Sequence, residues 1–144
     1  MMQTDSRAQA QVARAVRVQE AVAAAVACGL CPEVTPERGV EILAAPKPAD
    51  FWGLGTATAR ARASELVDDP QWRGRALAWI SAYRHQHGHG PTWKTFREEA
   101  ALWPDQVSAN IRRIVLLVLA RGGHLDGTRT PFGLRVREER VRVV

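Results

Sequence analysis

The run Val107 to Gly123, VSANIRRIVLLVLARGG, constrains this chain more than any other stretch. Its second half is apolar nearly all round a helix, so any fold that contains it must cover the rod on several sides. Val107, Ile111, Ile114 and Val118 share one face at helical spacing. Advancing about 100° per residue puts Gln106, Ala109, Arg113 and Leu116 opposite, with Ser108 and Arg112 beside them. Gly122-Gly123 stops the helix. The unbroken apolar stretch Ile114 to Ala120 falls far short of the ~20 residues a membrane span needs, and no membrane association is expected. Cover is expected from the N-terminal part of the chain, with a second subunit as the alternative.

A chain of 144 residues, 46% of them hydrophobic, suits one domain or one domain with an appendage. The opening MMQTDSRAQAQVARAVRVQE has no apolar core before its charges, so no secretory signal is read and a cytoplasmic location is expected. The charge is unevenly placed. Residues 1–71 carry a net −2 and residues 72–144 a net +7. In the basic half Lys94 is the lone lysine; the rest are arginines, whose fork matches phosphate and guanine.

Punctuation divides the chain at about residue 68. Residues 1–68 read as a helical N-terminal segment for dimerisation or partner binding. A first helix runs from Asp5 or Ser6 to about Ala27, stopped by Gly29 and Pro32, and a short one follows Thr35-Pro36. AAPKPADFWGLG reads as loop, and a further helix runs from Thr56 or Thr58 to Val67. In residues 69–144, Asp69 caps a helix reaching His87, HGHGP breaks the chain, and Thr92 caps WKTFREEAAL. Trp103-Pro104 turns the chain, Ser108 or Asp105 caps the helix around 106–120, and HLDGTRTPFGLRVRE reads as two strands that RVRVV could extend.

On GHGPTWKTF and SANIRRIVLLVLARGGHL, residues 72–137 resemble the winged helix-turn-helix domains of bacterial and phage transcription regulators. The SOS-response repressor and the multiple-antibiotic-resistance regulators supply the nearest patterns. The turn LWPDQVS departs from them, with Trp103-Pro104 where a small residue is common. The resemblance implies a mainly α fold with a small β-hairpin wing. It also implies a transcriptional regulator, of the repressor kind, that binds double-stranded DNA as a homodimer. In such a domain the third helix enters the major groove and the wing reaches the backbone or the minor groove.

Placed on that order, Arg112 and Arg113 are candidates for guanine or phosphate, Asn110 for adenine, and Gln106 and Ser108 for bases or backbone. Thr92, Lys94 and Arg97 would hold phosphates, and Arg129, at the tip of DGTRTPFG, a narrow minor groove or a phosphate. The rival expectation is a winged-helix adaptor that contacts proteins, in part through residues 1–68, without sequence-specific DNA binding.

Cys28-Gly-Leu-Cys31 is a CxxC, and His85, His87 and His89 alternate. No second CxxC accompanies it, and a helix C-terminus does not favour a thiolate. The sequence reading is therefore two small buried hydrophobes and a hydrated histidine loop, with no metal and no cofactor. No nucleophile elbow, phosphate-binding glycine loop or carboxylate cluster is present, so an enzyme is not expected.

Overall fold

The computed structural model describes residues 2–45 and 47–137, with side chains described from residue 6 onward. It is mainly helical. The order is α1 (Met2–Ala27), α2 (Pro36–Ala44), a 3₁₀ turn (Ala49–Trp52), α3 (Ala57–Asp68), α4 (Pro70–His87), α5 (Trp93–Glu99), α6 (Ala109–Arg121), β1 (Leu125–Asp126) and β2 (Arg135–Val136). The strands pair antiparallel, Leu125 opposite Val136 and Asp126 opposite Arg135. They are shorter than the sequence pattern suggests, and the proposed RVRVV extension runs beyond the described residues. No helix among the described residues is long and apolar enough to cross a membrane.

The helix starts follow from capping chemistry. Thr35, Thr56, Asp69, Thr92 and Ser108 each accept a main-chain N–H of the first turn, satisfying a donor that the helix leaves unpaired. Ser108, not Asp105, caps α6, which places Gln106 and Ser108 ahead of the helix. Gly88, at φ 79°, ends α4 in the left-handed conformation that favours glycine.

One large core joins α3 to α6 and the hairpin: Ala63, Leu66, Trp72, Ile80, Phe96, Ile114, Leu116, Leu119, Leu125 and Leu134 are all buried in it. The cover that α6 requires comes chiefly from α3, which packs along it. Leu116 is therefore fully buried. The expected solvent-facing stripe through Gln106, Ala109, Arg113 and Leu116 ends after its first turn. A second, smaller cluster joins α1 to the hairpin loop, with Val22, Ala25, Cys31 and Val34 packed round Phe132.

Candidate functional site

The leading end of α6 is open. Gln106, Ser108, Ala109 and Asn110 are exposed, as is Lys94 on α5. Gln106 sits at φ 65° in the turn before the helix. Thr92 and Ser108 use their side-chain oxygens as caps, and Arg97 is half-buried with its Nε donating to the Trp93 carbonyl.

Arg112 and Arg113 are engaged with the chain itself. Arg112 donates from Nε to the Val107 carbonyl at 3.1 Å and from a terminal nitrogen to the Arg97 carbonyl at 2.6 Å, with Trp103 against its guanidinium. Arg113 donates to the carbonyls of Phe51 and Gly53 and to Asn110 Oδ1. The segment from Phe51 to Gly55 thus lies across the face of α6 that the sequence pattern turned outward. A long-range contact of this kind leaves no periodic trace in the sequence.

The same segment leads to the hairpin. Phe51 and Trp52 pack on Trp93, whose Nε1–H donates to the Thr128 carbonyl. Arg129 lies 5.1 Å from the Trp52 ring centre, and Lys47 lies 4.8 Å from that of Phe51. Cations and aromatic faces therefore alternate from the start of α6 to the hairpin tip, an arrangement suited to phosphates and bases.

Beyond Arg129 opens a groove of about 780 Å³ between α1 and the hairpin. Arg14 and Arg17 line one wall; Arg84, Arg129 and Arg135 line the other. Glu20 and Asp126 are the acidic side chains in the lining, and Asp126 is paired with Arg137 at 2.8 Å. Burial, and next the Arg135 guanidinium, pull Arg84 below its ordinary value, as for a cation held near another cation. Of these five arginines the sequence reading singles out Arg129 alone as a DNA contact. Arg14, Arg17 and Arg84 sit on helices remote from the hairpin, and the fold gathers them.

Near the inner end of this groove four further side chains meet. Cys28 and Cys31 follow α1; His87 ends α4, and His89 follows Gly88. Their donor atoms all lie within 4.8 Å of one another. The histidine loop is not a hydrated excursion: His89 is 1% exposed, and Gly90 N–H donates to the Phe132 carbonyl at 2.7 Å. Burial pushes the Cys31 thiol up to about 11 and moves His89 below its ordinary value. These four residues form a donor set able to hold a soft metal ion.

Compared with protein-family models, curated proteins and solved structures, the chain matches none.

Proposed function

We propose that this protein binds double-stranded DNA and acts in transcriptional regulation. The observation that carries the reading is the arginine-lined groove beside the hairpin. Five arginines line an opening where the acidic lining is Glu20 and an Asp126 already paired with Arg137; one of them, Arg84, also donates to the Leu134 carbonyl at 3.2 Å. A phosphate backbone is the polyanion that such a row of forks fits.

The succession α4, α5, turn, α6 and hairpin supports a winged helix-turn-helix reading of residues 69–144. On it, Gln106, Ser108 and Asn110 approach base edges while Lys94 and Arg129 hold phosphates. Arg112 and Arg113 take a different part: they fix the helix that presents those residues. Asn110 Oδ1 already accepts from Arg113, which leaves its amide nitrogen as the freer contact.

A second reading, protein contact through residues 1–68, has its own observation. Val12 and Val16 on α1, Leu30, and Val40 and Leu43 on α2 are large apolar side chains left exposed. A second copy of the chain covering them would give the dimer expected of a regulator.

The test is binding of the full chain to labelled fragmented duplex DNA across a salt series. Binding through the groove predicts a steep fall with salt, and Arg129→Ala/Arg135→Ala should flatten the log–log slope by about two. A flat salt response in the unaltered protein rejects DNA binding and favours the adaptor.

A further inference from the structure

We propose that Cys28, Cys31, His87 and His89 bind a single zinc ion in a closed structural site. The site would fasten the end of α1 to the end of α4.

The spacing of the donor atoms carries the argument. Cys31 Sγ lies 3.3 Å from His87 Nδ1 and 3.3 Å from His89 Nε2, and Cys28 Sγ lies 3.7 Å from His87 Nδ1. Tetrahedral zinc, with bonds of about 2.3 Å to sulfur and about 2.0–2.1 Å to nitrogen, spaces its ligands roughly 3.3–3.8 Å apart. Two sulfurs and two imidazole nitrogens select zinc over the hard, oxygen-seeking cations. Four protein donors complete the tetrahedron and leave no position for a reacting water, so the role is structural.

The surroundings orient the ligands. His89 Nδ1–H donates to the Gly90 carbonyl at 2.8 Å, which turns the lone pair of Nε2 toward the cysteines. Metal-bound imidazoles ordinarily keep such a partner on the other nitrogen. His87 is held flat against Tyr83, ring centres 3.9 Å apart and planes 9° from parallel. Cys31 N–H donates to the Cys28 carbonyl at 3.3 Å, a tight turn that sets both sulfurs on one side.

The site also answers a need of the fold. Apart from Phe132, the buried residues of the apolar cluster that holds α1 are Val22, Ala25, Cys31 and Val34, with Ala21, Val26, Cys28 and Ile42 partly buried against them, a small core for a helix of 26 residues. Metal cross-links stabilise small elements of this kind.

The experiment uses the full chain under reducing conditions. Metal content is measured on protein purified without chelator, and cobalt(II) is titrated into metal-free protein. The site predicts stoichiometric zinc, and with cobalt the visible bands of a tetrahedral centre plus thiolate charge-transfer absorption, saturating at one equivalent. Cys31→Ser and His89→Ala should each weaken cobalt binding by at least about tenfold, while His85→Ala, outside the cluster, should leave it unchanged. Should a variant not fold, the unaltered protein still decides the matter: zinc must protect both thiols from a thiol reagent, and chelator must expose them. Absence of zinc and of the cobalt spectrum in the unaltered chain overturns the proposal. So does a cobalt spectrum that persists without Cys31 or without His89, or a Cys28–Cys31 disulfide in the reduced preparation.

Discussion

The Arg112 guanidinium donates to the main-chain carbonyl of Arg97 across the turn between α5 and α6. The last carbonyls of a helix have no partner within it, and α5 has only seven residues. A second bond to the Val107 carbonyl ties the same side chain to the approach of α6. One arginine therefore fixes the angle between two helices and the presentation of Gln106, Ser108 and Asn110. Arg112→Ala should destabilise the protein by about 1.5–3 kcal/mol in urea unfolding, the range for hydrogen bonds from a charged donor. Arg112→Lys should recover less than half of that, because an ammonium lacks the planar fork that reaches both carbonyls. Wild-type stability in the alanine variant would remove the clamp from the account.

Gly90 and Gly74 should respond to alanine in opposite directions. A Cβ on Gly90 would lie 2.3 Å from the Leu134 oxygen and 2.7 Å from the Leu134 nitrogen, both main-chain atoms that cannot swing aside. Gly90→Ala must push the loop off the hairpin, at a cost of about 1–3 kcal/mol or more. Gly74 lies within α4 with nothing near its absent side chain, so Gly74→Ala should stabilise by about 0.5–1 kcal/mol. Thermal unfolding of the two variants side by side checks both signs.

The ion pair on the hairpin sets an acid-side dependence. Its hydrogen bond from Arg137 holds the Asp126 carboxyl below the ordinary 3.8. A group whose value is lowered on folding adds stability above its unfolded value, and that addition is lost as pH falls through the folded one. The pair is partly exposed, so the effect is small and salt-sensitive. Unfolding midpoints of the native protein and Asp126→Asn should converge as pH drops below about 4 and separate above it. A constant gap across that window would assign Asp126 no role in the pH dependence.

The parts of this fold governed by short-range chemistry were legible in the sequence, and those created by distant contacts were not. Asp69, Thr92 and Ser108 announced the starts of α4, α5 and α6 because a cap needs only its own first turn. The apolar circumference of α6 announced that cover was needed, and α3 supplies it. Nothing local ties Phe51 to Arg113, 62 positions later, so the arginine's engagement could not be read. The hydrated-loop reading of the histidines fails for a related reason. No second CxxC accompanies Cys28 and Cys31, and His87 and His89 meet Cys31 only across 56 and 58 positions. The left-handed turn at Gly88 folds the chain back and brings both rings to the same two cysteines.

The proposed metal site would couple the two walls of the groove, which makes their joint behaviour predictable. Arg14 and Arg17 belong to α1, whereas Arg84, Arg129 and Arg135 belong to the body formed by α4 and the hairpin. The Cys28–Cys31 turn, meeting His87 and His89, fastens one wall to the other. Releasing it should leave the core of α3 to α6 intact while α1 loses its fixed distance from the hairpin. Chelation should then reduce the salt slope of DNA binding by about two, the share of the two α1 arginines at ~0.9 per phosphate. Arg14→Ala/Arg17→Ala in the zinc-loaded protein should give the same reduction, and chelation of that variant should add little further. Fluorescence anisotropy over a salt series, with circular dichroism to follow helix content, measures both effects. Additive losses would mean that the metal acts on binding by some route other than holding α1 in place.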